Sequence, residues 1–472
     1  MARIGQAREA LVVARRHGLA WSALAVLVVL PLAIWTHGFA IDDAFIGVRY
    51  ARHLAEGAGY RFNTDGPSTD GVTPLPWAFL LAPMAHAPAL VVLARAKGLG
   101  RMAWLAAVAV WGVAIGKAEA RIEAKIAALA VLAVCLPTAA HASNGMETSL
   151  ATLVATVASV LPNPWAACAC AGLAASLRPE MVVWGVAFAL FAGPAPRATS
   201  RALLAAAPFV VCACIRVVAF GRAAPLSLLA KPSDLAHGVS YAVVAGLVSL
   251  APIVVFAPVA LLRARGRSAA LAVAGLAHLA AIAVAGGDWM PFARLAVPIV
   301  PSLLYAFVLA SPRMSRVCAA LRVTAALGLA VYVLRLPTAS AGRHVESNVE
   351  SLAQRARPLL ATAHRVAALD IGWPTAATEA TIVDLAGLTD PEIAALPGGH
   401  TSKRIDTALL LERDPDVVLL YARKRGEETT YTRVVEARLA DSELLMRKYE
   451  TRAFLPYGED GAGYVVLSKR ER

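Results

Sequence analysis

The chain has 472 residues, 58% of them hydrophobic and only 16% charged, and its mean hydropathy is +0.61. That composition lies outside the range of soluble globular domains and predicts an integral membrane protein. A net charge of +13 would suggest nucleic acid in a soluble chain. Here the arginines gather in short linkers between apolar runs (Arg197 with Arg201, Arg263 with Arg265 and Arg267, Arg313 with Arg316 and Arg322), the pattern of the positive-inside rule and of anionic lipid headgroups, which argues against nucleic acid as a partner.

The N-terminal segment carries Arg3, Arg8, Arg15 and Arg16 ahead of an apolar run from about 19 to 36, which predicts an uncleaved signal anchor with its start in the cytoplasm. The loop 37–76 follows. Its opening, IDDAFIGVRYARHLAEG, predicts a short helix with Asp42 as N-cap and Asp42, Arg49 and His53 on one stripe; the remainder, GAGYRFNTDGPSTDGVTPLPW, is rich in turn formers. Twelve acidic residues fall in the first 336 positions and five of them lie between Asp42 and Asp70. Each would cost about 2.5–3.5 kcal/mol at the centre of a bilayer, so their gathering predicts the lip of a pocket at the membrane surface.

Further apolar runs lie near 76–94, 101–116, 125–140, 148–161, 164–193, 203–220, 240–262, 268–286, 294–311 and 318–336. A crossing helix needs about 20 residues. The run 164–193 predicts two crossings with a turn at Arg178–Glu180. The run 76–94, interrupted by Pro83, His86 and Pro88, predicts a segment that dips in without crossing. With the basic linkers inside, the count is about eleven crossings, and the loop 37–76, the GGDWMPFARL loop and everything past residue 336 are external. Beyond Leu336 the composition changes: twenty of the 32 acids lie there, and apolar stretches such as RVAALDIG, DVVLLYA and GYVVLSK alternate with helix-like segments, predicting a soluble α/β domain. The predicted fold is thus a polytopic α-helical membrane domain, 1–336, with a C-terminal α/β domain, 337–472. The cysteine pairs at 168 and 170 and at 212 and 214 are two apart and point about 200° apart on a helix, so they are expected as small buried hydrophobes. His141, His237 and His278 lack ligand spacing, which argues against zinc.

The stretch Asp42–Trp77 resembles the first external loop of GT-C glycosyltransferases, and most closely the group that includes the terminal arabinofuranosyltransferases of mycobacterial cell-wall arabinan. The matching positions are Asp42, Asp43, Ala44, Phe45, Ile46, Arg49, Tyr50, Ala51, Leu54, Gly57, Gly59, Phe62, Asn63, Gly71, Thr73 and Trp77. SNGMETSLATL, SLRPE, FGRAAPLSLLAKPSD and GGDWMPFARLAVPIVP follow in the family's order, and DLAGLTDPEIA and GGHTSKRID are also similar, so the resemblance spans about residues 40–410. His53 in place of Asn, the Leu75–Pro76 inversion, and Leu226 and Ser227 in place of Asn and Thr bear on donor or acceptor specificity rather than on reaction class.

The resemblance implies a multi-pass enzyme of the inner or plasma membrane. It would move a sugar, arabinofuranose or another pentose, from a polyprenyl-phosphate donor to a cell-envelope glycan or glycolipid acceptor on the outer face. Such chemistry needs a base for the acceptor hydroxyl and cationic groups for the departing phosphate. Asp42 and Asp43 are the expected catalytic pair, with Asp42 the base. Arg49, Tyr50, His53, Glu147, Lys231, Asp288 and Arg294 are the expected substrate-binding residues, Arg49 and Lys231 holding the donor phosphate. Arg178 and Glu180 read as a structural turn pair. No cofactor is certain; a divalent cation is compatible with the family, and no residue is assigned to it. A polytopic lipid or solute transporter is the alternative, but transporters place ionisable groups near mid-membrane and carry internal repeats, whereas these acids cluster in loops.

Overall fold

The computed structural model describes residues 2–231, 233–254, 262, 264–336, 342–344 and 347–470. Arg263, most of the far end of the 240–262 run and the 337–341 junction lie outside them.

The apolar runs fold as helices, the form that satisfies every backbone group within one segment when lipid offers no hydrogen bonds. Among the described residues five helices are long and apolar enough to cross a membrane: Arg16–Trp35, Ala89–Lys117, Ala195–Phe220, Arg267–Val284 and Arg316–Leu334. Ile122–Ala133 and Leu136–Ala142 meet at a bend of 53° and make a sixth if taken as one span. Pro137 sits in the first turn of the second piece, where its missing N–H and fixed φ favour a fresh helix start. The expectation of about eleven crossings is therefore not met. Leu75–Met84, Thr148–Val160, Pro164–Leu177, Met181–Phe191, Leu235–Leu250 and Arg294–Ala310 are apolar but only 10–17 residues long; at about 1.5 Å per residue they fall short of a hydrocarbon core of about 30 Å. The run 164–193 does divide at Arg178–Glu180, and the run 76–94 breaks after a short helix, Leu75–Leu81, before a new one starts at Ala89.

The chain forms two compact units, each discontinuous in sequence: residues 1–37, 97–212 and 233–340 in one, and 38–96, 213–232 and 341–472 in the other. The first is helical. Its core holds Trp104, Trp111, Ile115, Leu132, Val300, Leu304 and Phe307 in one cluster and Trp184, Phe188, Leu271 and Ile299 in another. Small residues let backbones meet: a Cβ on Gly112 would lie 2.6 Å from the Ser22 Cα, and one on Gly116 3.0 Å from the Gly18 Cα, the close approach expected between membrane helices. Leu27, Ile34, Leu203, Val284 and Leu321 stay largely exposed. So many large apolar side chains facing outward from separate helices suit lipid and would be an aggregation hazard in water.

The second unit is built on a mixed sheet of order β2-β1-β3-β6-β5, with β4 paired to β3. The strands are β1 Arg365–Ala368, β2 Thr381–Asp384, β3 Val417–Arg425, β4 Glu428–Thr430, β5 Tyr449–Pro456 and β6 Ala462–Lys469. β1 runs parallel to β2 and β3; the other pairings are antiparallel. The three apolar segments read as strands in the sequence are β1, β3 and β6. On edge strand β2, Asn63 takes the place of a further strand: its side chain accepts from the Ile382 N–H at 3.0 Å and donates to the Ile382 carbonyl at 2.9 Å. This covers an edge that would otherwise be open to pairing with another chain. The loop 37–76 thus packs with the C-terminal sheet. Of the six cysteines, Cys135, Cys168 and Cys212 are buried, Cys170 is half-buried, and Cys214 and Cys318 are exposed on their helices, so burial holds for only one member of each pair.

Candidate functional site

The helix Asp42–Ala55 forms as the sequence predicts, but its N-cap is Ile41, with no side-chain cap bond. Asp42 is the first helical residue, not the cap, because its carboxylate is engaged elsewhere. Oδ2 accepts from the Gly372 N–H at 3.0 Å and Oδ1 from the Trp373 N–H at 2.6 Å. Gly372 is required there: a Cβ would fall 2.0 Å from the Asp42 carbonyl oxygen. Asp42 is partly exposed yet enclosed by protein. Burial, with Asp370 and Asp43 adding their charge, raises its pKa far above the usual carboxylate range, against the two amide bonds.

Asp43, next along the first turn, faces Lys231 at 3.9 Å; their side chains are 26% and 31% exposed. Lys231 ends the short helix Leu226–Ala230, whose position is fixed by Leu226 N–H bonding to the Asp70 carbonyl at 3.0 Å and Ser227 Oγ to Thr73 Oγ1 at 3.0 Å. Arg216 locks the same corner, with an ion pair to buried Asp70 and a bond to the Thr73 carbonyl at 2.5 Å.

Asp370 stands two residues past the end of β1 and is held at both oxygens. Arg433 Nη1 reaches Oδ1 at 2.9 Å, Arg433 Nη2 reaches Oδ2 at 2.8 Å, and the Tyr464 hydroxyl donates to Oδ2 at 2.5 Å. Burial pushes this carboxyl up, but Arg433, its hydrogen bonds, Tyr464 and His400 outweigh that and hold it below its ordinary value. Arg433 is braced in turn by Glu436 at 2.6 and 2.7 Å and lies 4.8 Å from the centre of the Tyr421 ring. Burial raises Glu436 to about 7, against Arg433. His400 is pushed down to about 4 by burial and Lys231, against the pull of Asp43 and Asp370, so it is neutral at neutral pH. Among the described residues no three His, Cys, Asp or Glu side chains are grouped to hold a metal ion.

The other expected binding residues of this loop hold structure. Arg49, expected at a phosphate, is 4% exposed, and its guanidinium donates to the carbonyls of Phe62 at 2.6 Å and Ala380 at 2.9 Å and to Asn63 at 3.2 Å. The Tyr50 hydroxyl pairs with Thr69 at 3.1 Å and accepts from the Gly71 N–H at 3.1 Å. His53 Nδ1 bonds the Arg61 carbonyl at 2.9 Å. These three residues fold the loop, and the structure brings together Asp42, Asp43 and Lys231. Asp370, His400, Arg433 and Tyr464 were missed by sequence reasoning. The available signal was an acid just past a parallel strand of an α/β domain, where such folds bind ligands.

Glu147, Asp288 and Arg294 belong to the helical unit. Glu147 is 0% exposed and pairs with Arg178 at 2.8 Å, which also pairs with Glu180 at 2.5 Å, so the Arg178–Glu180 turn is structural as expected. Asp288 and Arg294 pair at 2.8 Å, and Arg294 Nη1 lies 3.3 Å from Met146 Sδ. Their loop is strained, with Phe292 and Ala293 both at positive φ, 62° and 48°. His141 Nε2 donates to the Pro291 carbonyl at 3.1 Å while Nδ1 accepts from Asn144 at 2.8 Å.

Residues 341–466 match the family model DUF8728, described as a domain of unknown function. That span holds Asp370, His400, Arg433 and Tyr464; the loop with Asp42 and the helical unit lie outside it. No curated protein matches the chain.

Proposed function

We propose that this chain is a membrane glycosyltransferase of the GT-C type, transferring a sugar, arabinofuranose or another pentose, from a polyprenyl-phosphate donor to a glycan or glycolipid of the cell envelope. The observation that carries the reading is Asp42, a carboxylate with raised proton affinity, partly open to solvent and held by amides with no cation of its own among the described residues, beside Asp43 and Lys231. In the transfer, the acceptor oxygen bonds to the anomeric carbon as its proton passes to Asp42. The bond from that carbon to the phosphate oxygen breaks, the electron pair stays on the phosphate, and Lys231 meets its charge. Asp43 orients Lys231 or the acceptor. A base is most effective when its pKa lies near the working pH, which is what burial and the neighbouring acids give Asp42.

A long lipid tail on the donor accounts for apolar helices and a carboxylate centre in one chain, and the basic linkers between the apolar runs favour the outer face of the membrane for the reaction. The experiment is a membrane assay with a panel of radiolabelled polyprenyl-phosphate sugars, parent against Asp42→Asn and Asp43→Asn. One donor should be turned over by the parent and lost in Asp42→Asn. Equal incorporation by parent and Asp42→Asn from every donor would sink the reading.

A further inference from the structure

Asp42 is held by a chain of contacts that begins far from it in sequence. Glu436, wholly buried, accepts from the Tyr421 N–H at 2.8 Å and braces Arg433. Arg433 grips Asp370 through both terminal nitrogens, and Tyr464 adds a third bond. Two residues on, Gly372 and Trp373 turn their N–H groups onto the two oxygens of Asp42. The Trp373 ring packs 5.0 Å from that of Tyr464, so the loop from 370 to 373 is fastened to β6 at both ends. Nothing larger than glycine fits between it and Asp42.

We propose that Asp370 is a positioning residue for Asp42: pinned by Arg433 and Tyr464, it sets the loop that lays two amides on the Asp42 carboxylate and keeps a second negative charge beside it, so that the C-terminal domain tunes the base carried by the first loop. The inference rests on the reading of Asp42 as the base. The groups around the pair are Asp43 on the same helix, Lys231 after the helix Leu226–Ala230, His400 ahead of the helix Thr407–Glu412, Arg433 and Glu436 at the start of the helix Val434–Ala440, Tyr421 on β3, Tyr457 after β5 and Tyr464 on β6. Lys231 and Arg433 are engaged by Asp43 and Asp370. Asp370 and Asp43 oppose ionisation of Asp42, and the two amides favour it.

The test is an infrared pH titration of the full chain in detergent, following the protonated-carboxyl band that disappears in Asp42→Asn. Asp370→Asn removes the neighbouring charge and should lower the midpoint by about one pH unit or more; Asp370→Glu should restore it. Gly372→Ala drives the amides off and keeps Asp370, so it should move the midpoint up, and it serves where Asp370→Asn fails to fold. A midpoint that stays at the parent value in either folded variant overturns the proposal. The titration uses no substrate, so a parent without transfer activity would sink the glycosyltransferase reading and leave this result standing. In the transfer assay the limb on which turnover rises with pH should shift to lower pH in Asp370→Asn, a change that a merely structural role for Asp370 would not cause.

Discussion

Two ionic centres in this molecule show opposite ways of keeping carboxylates. In the helical unit arginines hold the acids of the centre: Glu147 and Glu180 share Arg178, and Asp288 has Arg294. In the sheet unit Asp370 has Arg433 and Asp43 has Lys231, but Asp42, among the described residues, has only backbone amides. An arginine at contact distance favours the charged form of a carboxylate and makes the pair a brace. Amides orient a carboxylate without supplying a full charge, so Asp42 stays oriented while burial and two neighbouring acids raise its affinity for a proton. The first arrangement suits holding helix ends together, the second suits exchanging a proton.

The comparison breaks most directly at its two ends. Asp42→Asn should lower transfer by roughly 10²- to 10⁴-fold, the usual worth of a general base, in a protein that still folds, measured as initial rate beside a melting curve in detergent. The same carboxyl sets a pH limb: turnover should climb with pH above the usual carboxylate range, and the limb should vanish in Asp42→Asn. Stability runs the other way for this group. Its folded pKa is raised, so the folded state holds the extra proton, and its contribution falls as pH rises from the unfolded carboxylate value through the folded one. Asp370, with its pKa lowered, contributes stability above its unfolded value that is lost as pH falls.

Arg178→Met should cost about 3–5 kcal/mol, since Glu147 and Glu180 would be left without their cation and Glu147 is fully buried. Its readout is a lower melting temperature and reduced accumulation in membranes. Lys231→Gln should weaken binding of a polyprenyl-phosphate analogue by roughly 10- to 150-fold, the equivalent of about 1.5–3 kcal/mol for a charge-assisted contact, with the fold intact. The smallest effect is expected from Arg52→Gln. That residue joins the helix Asp42–Ala55 to Glu379 at 2.8 Å, but the Glu379 side chain is 71% exposed, so the loss should stay below about 1 kcal/mol and transfer should be unchanged.

What the sequence could reveal followed from the range of each signal. Apolar runs mark helices because the signal is local, and β1, β3 and β6 were legible for the same reason. The count of crossings was not, because it turns on where helices stop. Pro137 restarts one after a bend, and Thr148–Val160 or Met181–Phe191 end before they are long enough. Asp42, Asp43 and Lys231 stood out as charges beside apolar runs. Arg49 stood out in the same way, and only the fold shows that its guanidinium donates to the carbonyls of Phe62 and Ala380. Asp370 and Arg433 were invisible because the meaning of Asp370 depends on Asp42, hundreds of residues earlier, and that of Arg433 on Asp370, 63 residues before it.

The loop that completes Asp42 is made late. Gly372 lies 330 residues after Asp42, and a ribosome adding about 5–20 residues per second needs roughly 17 to 66 s to reach it. Through that interval residues 42–55 lack the amides of Gly372 and Trp373, the Asp370 carboxylate and the strand edge that Asn63 grips. A chain released before residue 372 therefore lacks both amides that orient Asp42, and the site matures only when residues 370–373 fold back onto that carboxylate.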